Sequence, residues 1–194
     1  MSSKHFSLLR LVLAAMFFSL ALTLPFLTGQ IPEIGGALCP MHLPVLLSGF
    51  FCGPWYGLTV GLTAPLVRSL WLGMPPLLTA VAMCFELAAY GFFAGFLYCV
   101  LPKRRSSIYL ALGSAMLLGR LVWGTVRAVL YGIGLSAFGW QAFLAGAFLE
   151  AIPGILLQLV LIPILVMALN RAFPRFAEDS RLGRAGRPSA SRKD

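Results

Sequence analysis

Five charged residues lie inside long apolar stretches of this sequence, and their chemistry suits the binding of an anion. They are three arginines and two glutamates: Arg68, Glu86, Arg120, Arg127 and Glu150. A charge inside a membrane costs about 3 kcal/mol on insertion scales, so each should face a partner or a wet cavity. The three arginines exceed the two glutamates by one positive charge. That excess predicts a site for one anionic group, most simply a carboxylate held by a guanidinium fork.

Arg127 is the preferred ligand contact because it has no obvious acidic partner in the sequence. The alternative is that its side chain extends to the lipid headgroups. Trp123 and Tyr131 share its helical face, since a helix turns once in about 3.6 residues, and they are candidate contacts as well. The other four charges lie at a similar depth in the membrane and are also candidate substrate contacts. The alternative is that they only hold helices together, as the two ion pairs Arg68–Glu86 and Arg120–Glu150.

His42 is a weaker candidate for substrate binding, and the alternative is a hydrogen-bonded helix cap. The sequence has no nucleophile-elbow, zinc-protease or Walker A motif, so we expect no enzyme, no catalytic residue and no ATP site in this chain. The competing hypothesis is an intramembrane enzyme whose site is built on His42 and a glutamate. Four cysteines form no C-x-x-C pair, so we expect neither a metal site nor a cofactor.

The composition excludes an ordinary soluble protein. Of 194 residues, 59% are hydrophobic and 11% are charged, whereas a soluble domain carries about 25% charged residues. Since a membrane span needs about 20 apolar residues, this length suits about six. The apolar runs predict an all-α bundle of six transmembrane helices, at residues 11–27, 41–51, 55–72, 76–101, 108–133 and 140–169.

The second predicted span is short, and Pro40 and Pro44 interrupt its start. Its free backbone groups must be buried in protein or line a cavity, because lipid offers them no hydrogen bonds. The alternative is a plain hairpin of two tilted helices.

Basic residues predict which way the bundle points. Twelve lie in three segments that six spans place on one side, and the opposite connections hold none. The positive-inside rule therefore predicts a cytoplasmic N-terminus and C-terminus. Because the basic residues flank apolar runs, they favour membrane lipid over nucleic acid as a partner. We divide the chain into a six-helix domain, residues 1–171, and a basic disordered cytoplasmic tail, residues 172–194.

Four motifs in the central block carry a family resemblance. They are Cys39-Pro40-Met41-His42-Leu43-Pro44-Val45-Leu46-Leu47, Gly53-Pro54-x-x-Gly57-x-x-x-Gly61, Gly73-Met74-Pro75-Pro76 and Glu86-Leu87-Ala88-Ala89-Tyr90-Gly91. In this order, on a six-span chain, they resemble the substrate-binding S components of energy-coupling factor (ECF) vitamin transporters. The resemblance covers residues 8–170, and residues 39–98 are its specific part.

The resemblance implies a multi-pass protein of the bacterial cell membrane with a substrate pocket near the extracellular face. It also implies three partner subunits: a transmembrane coupling subunit and two ATPases. In the family an Ala-x-x-x-Ala motif on the first helix contacts the coupling subunit, and the matching positions are Ala15 and Ser19. The serine departs from the pattern but is small enough for close helix approach.

The resemblance leaves the substrate open among vitamins and related micronutrients. The Met-His-Leu-Pro block is most similar to the pantothenate-like branch, and the charge excess favours a monoanion. Lipoate, nicotinate or biotin would satisfy the same charge, and a flat neutral heterocycle could stack on Trp123 or Tyr131. The alternative function is a small ion-coupled secondary transporter that uses Glu86 or Glu150 as a proton site.

Overall fold

The computed structural model describes residues 3–28, 39–102, 104–132 and 152–172. These residues form α-helices and one short 3₁₀ turn, Leu24–Thr28, which extends the first helix. The helices are α1 (Ser3–Thr23), α2 (His42–Cys52), α3 (Pro54–Leu72), α4 (Leu77–Val100), α5 (Arg105–Gly132) and α6 (Ile152–Ala172).

The described helices confirm an all-helical membrane architecture, and their number agrees with the six predicted spans. Four segments are long and apolar enough to cross a membrane: Leu8–Phe26, Leu77–Val100, Arg105–Gly132 and Gly154–Arg171. Residues 140–151 of the sixth predicted span lie outside the described residues, as do residues 173–194 of the tail. The direction in which the termini face, like the division into domain and tail, stays a prediction.

Glycine and proline residues separate α2, α3 and α4, because glycine permits a positive φ and proline lacks a backbone N–H. Gly53 links α2 to α3 with a φ of 102°, a left-handed conformation that glycine adopts without steric cost. Pro54 follows as the first residue of α3, where its missing N–H costs nothing. Gly73 ends α3 with a φ of 69°, and its N–H donates to the Ser69 carbonyl at 3.0 Å.

Helix α2 lies in the middle of the bundle. Every one of its 11 residues is buried, and it packs against α1, α3, α4 and α6. This confirms the expectation that the short, proline-interrupted segment is buried in protein. Lipid therefore does not reach its backbone.

Among the described helices, α3 and α4 make the most extensive contact, and two glycines meet within it. A Cβ atom on Gly57 would overlap the backbone of Gly91, and a Cβ on Gly91 would overlap Gly57. Small residues let two helix backbones approach this closely. The contact fixes α4 against α3, and with it the direction of Glu86 and Tyr90.

Candidate functional site

Glu86 on α4 is the centre of a buried polar cluster. Its side chain is 2% exposed. The Tyr90 hydroxyl donates to Glu86 Oε1 at 3.0 Å, and Arg120 Nη1 on α5 lies 3.2 Å from the same oxygen. His42 Nε2, at the start of α2, lies 3.7 Å from it. Three helices thus bring an acid, a phenol, a guanidinium and an imidazole to one point.

A glycine on α5 makes this arrangement possible. A Cβ on Gly119 would overlap the Tyr90 ring. The absent side chain leaves room for the ring and lets α5 lie close to α4. Arg120, the next residue, then reaches Glu86. Tyr90 itself meets Glu86 because residues four apart share a helix face.

The imidazole of His42 is buried beside Glu86 and Tyr90. It is 5% exposed, and its ring centroid lies 5.3 Å from that of Tyr90. Neither ring nitrogen has a hydrogen-bond partner among the described residues. No side-chain cap bond of His42 is present among the described residues, where the hydrogen bond at the helix start runs from its backbone N–H to the Cys39 carbonyl at 3.0 Å.

The ion pairs expected from the sequence need one correction. Glu86 pairs with Arg120, so the proposed Arg68–Glu86 pair is wrong. Arg68 is 4% exposed, and its Nη1 donates to the Leu22 carbonyl at 2.7 Å. Leu22 is in the last turn of α1, where carbonyls lack helical partners. Arg68 also lies over the Phe26 ring at 5.1 Å, so it joins α3 to the end of α1.

Two arginines of α5 flank one tryptophan. The Cζ atoms of Arg120 and Arg127 lie 5.8 Å and 5.4 Å from the Trp123 ring centroid, within cation–π range. Tyr131 follows on the same face and is half exposed. The stripe predicted from helical spacing is therefore present, with Arg120 at its buried end.

The charge of the described site is positive. Glu86 is the one carboxylate side chain among the described residues and pairs with Arg120, whereas Arg68 and Arg127 contact a carbonyl and an aromatic ring. Glu150 lies outside the described residues, so the Arg120–Glu150 pair stays untested. With Glu150 counted, the excess is the single positive charge predicted from the sequence. Such a site favours an anion that also accepts hydrogen bonds.

Comparison with known protein families matches residues 9–166 to the family described as ECF transporter, substrate-specific component. The chain belongs to this family. No curated protein and no solved structure matches the chain. The S component is therefore the substrate-binding membrane subunit of an ECF transporter, and members of the family are transporter subunits rather than enzymes.

The two small residues on α1 of this S component face outward. Ala15 and Ser19 are exposed, and the Ser19 hydroxyl donates to the Ala15 carbonyl at 3.0 Å. The similar pair on α5, Ala111 and Ala115, is fully buried. The α1 face is accessible to another protein, whereas the α5 pair packs inside the bundle.

The described part of the S component offers no group of three histidine, cysteine or acidic residues that could hold a metal ion. Its four cysteines are free thiols, and Cys52 and Cys84 are buried.

Sequence reasoning missed two contributors to the site of the S component. Tyr90 belongs to one of the four motifs, and its i+4 spacing from Glu86 is the signal for the hydrogen bond that the sequence analysis does not predict. Gly119 was not singled out at all. Its position directly before a buried arginine was the available signal, because a small residue there permits close helix approach.

Proposed function

We propose that this S component captures a small monoanionic vitamin or related micronutrient, of the pantothenate kind, at the extracellular face for ATP-driven uptake. The observation that carries the proposal is the arginine excess. Arg120 is paired with Glu86 at 3.2 Å. Arg127 packs on Trp123, and no described carboxylate lies within ion-pair distance of it. A ligand carboxylate would therefore give the half-buried Arg127 a charged partner.

Unpaired polar atoms next to the ion pair give the ligand a second point of attachment. Arg120 Nε and both ring nitrogens of His42 have no hydrogen-bond partner among the described residues. A buried polar atom left unsatisfied costs about 1–3 kcal/mol, which a ligand hydroxyl or amide would recover. We assign the carboxylate to Arg127, the apolar body to the Trp123 and Tyr131 wall, and the polar remainder to His42 and Arg120.

Glu86 and Arg68 have supporting roles in this proposal. Glu86 holds Arg120 in position, and Arg68 holds the outer end of α3 against α1. Glu150 is a further candidate contact. Lipoate, nicotinate and biotin carry the same charge as pantothenate, so the carboxylate, rather than one named vitamin, is the essential part of the proposal.

The partners we propose are a transmembrane coupling subunit and two ATPases. Since the sequence has no Walker A motif, ATP binds to other chains. The exposed face of α1 around Ala15 and Ser19 is the proposed contact with the coupling subunit. In a bacterial cell membrane, the basic segments would lie on the cytoplasmic side, where the ATPases are.

Uptake by reconstituted vesicles tests the energy source. Pantothenate uptake should require the coupling subunit, the ATPases and ATP, and should continue when an uncoupler dissipates the proton gradient. A second candidate, ion-coupled transport, is favoured by the buried Glu86 beside His42, where a proton could bind. Full-rate uptake by this chain alone, abolished by the uncoupler and indifferent to ATP, would establish that candidate and exclude the proposed mechanism.

A further inference from the structure

A second group of arginines lies at the other end of α5 from Arg127. The first turn of α5 and the last turn of α6 enclose a cleft of about 680 Å³. Its lining includes three exposed arginines and an asparagine: Arg104, Arg105, Arg171 and Asn170. We call it the arginine cleft.

Hydrogen bonds hold the chain that carries the first two arginines. The backbone N–H of Arg104 donates to the Pro102 carbonyl at 2.7 Å, and that of Ser107 donates to the Arg104 carbonyl at 3.1 Å. The Ser107 hydroxyl also donates to the Pro102 carbonyl. On the opposite wall, Asn170 Nδ2 donates to the Tyr98 hydroxyl at 2.8 Å. The turn before α5 is thus held by its own hydrogen bonds, and the Asn170 wall is bonded to α4.

No described carboxylate neutralises the arginine cleft. Glu86, the one acidic side chain among the described residues, is buried with Arg120 in a different layer of the bundle. The cleft also includes the start of α5, where the helix dipole favours an anion. The planar fork of a guanidinium group matches the geometry of phosphate oxygens, and three such groups line this cleft.

The position of the cleft along α5 indicates where the phosphate comes from. The 28 residues of α5 span about 42 Å, longer than the hydrocarbon core of about 30 Å. The first turn therefore reaches the level of the headgroups. Tyr109 and Leu110, directly after Ile108 of the cleft lining, expose their apolar side chains, as expected beside an acyl chain.

We propose that the arginine cleft binds the phosphate group of an anionic phospholipid. A free phosphate ion shares the chemistry of the headgroup but not the acyl chains that would lie on Tyr109 and Leu110. The site is separate from the proposed substrate site and does not depend on the identity of the substrate.

Thermal unfolding of the delipidated full chain in a neutral detergent tests this site. Short-chain phosphatidylglycerol should raise the Tm in a saturable way, whereas phosphatidylcholine should not. The triple variant Arg104→Gln, Arg105→Gln, Arg171→Gln should bind phosphatidylglycerol roughly a hundredfold more weakly, since each surface arginine contributes about fivefold. Arg10→Gln, on α1 outside the cleft, is the control and should bind as the wild type does.

If the triple variant does not unfold cooperatively, Arg171→Gln alone should still show the roughly fivefold loss. Equal affinity of the cleft variants and the wild type, or an equal loss in Arg10→Gln, would overturn the site. Inorganic phosphate that stabilises the protein as well as phosphatidylglycerol at the same concentration would overturn the lipid source.

Discussion

Arg120 on α5 and Glu86 on α4 form an ion pair of 3.2 Å in which the glutamate side chain is 2% exposed. The pair joins two long helices at the point where Tyr90 and His42 also meet. In a chain with so few buried charges, this pair organises the polar interior. With Arg120 held by Glu86, Arg127 has no carboxylate partner among the described residues.

Replacement of Glu86 by glutamine should destabilise the protein strongly. Arg120 would keep its charge without its partner, and breaking a buried pair costs about 3–5 kcal/mol. Tyr90→Phe is the control, because it leaves the pair and removes one hydrogen bond, worth about 1 kcal/mol. Unfolding in detergent measures both. Equal and small effects would mean that Arg120 and Glu86 are not paired in the membrane protein.

The glycine contact between α3 and α4 predicts opposite effects for two glycine-to-alanine changes. In Gly57→Ala the new methyl would overlap the Gly91 backbone, and overpacking should cost about 1–3 kcal/mol. In Gly113→Ala, at an exposed position of α5 with nothing within 4 Å, helix propensity should add about 0.5–1 kcal/mol of stability. Comparison of the two Tm values checks this. A stabilised Gly57→Ala protein would contradict the close α3–α4 approach.

The proposed role of Arg127 predicts a loss of ligand affinity. Arg127→Ala should weaken the binding of pantothenate, or of the carboxylate ligand that replaces it, by about 1.5–3 kcal/mol, the usual range for a charged hydrogen bond. Thr125→Ala is the control, since Thr125 is exposed on the same helix and its hydroxyl donates to the Leu121 carbonyl. Titration calorimetry compares them. Unchanged affinity in Arg127→Ala would remove this residue from the site.

The outward face of α1 predicts a separation of assembly from substrate binding. Ala15 is exposed, so Ala15→Trp should impair co-purification with the coupling subunit and leave ligand affinity intact. Ala14 is 5% exposed, so Ala14→Trp should instead destabilise the bundle itself. If Ala15→Trp also abolishes ligand binding, the face packs internally and the proposed contact is wrong.

Most helix positions followed from the sequence because they depend on local chemistry, although α1 begins at Ser3 rather than at the predicted residue 11. The apolar runs located α3, α4 and α5 to within about three residues, the margin usual for such boundaries. The turn at Gly53 and the end of α3 at Gly73 followed from the conformations that glycine permits. Burial of α2 followed from its length and its prolines, since its backbone could not face lipid.

The partners of the buried charges could not be predicted from the sequence, because they depend on which helices lie side by side. Membrane depth placed Arg68 and Arg120 near Glu86 equally well, and depth alone could not choose between them. The choice came from Gly119, which brings α5 close to Tyr90. Arg68 donates a hydrogen bond to a backbone carbonyl of α1. A comparison of side-chain types cannot identify such an acceptor.

Identification of the small molecule that copurifies with the full chain tests whether the S component binds a monoanionic micronutrient through Arg127. The protein should be extracted in mild detergent, released from its ligand by denaturation, and the ligand identified by mass spectrometry. We expect a near-stoichiometric micronutrient with a single carboxylate, retained by the wild type and by Thr125→Ala but lost from Arg127→Ala. A cationic compound, or a neutral one retained equally by all three proteins, would contradict it.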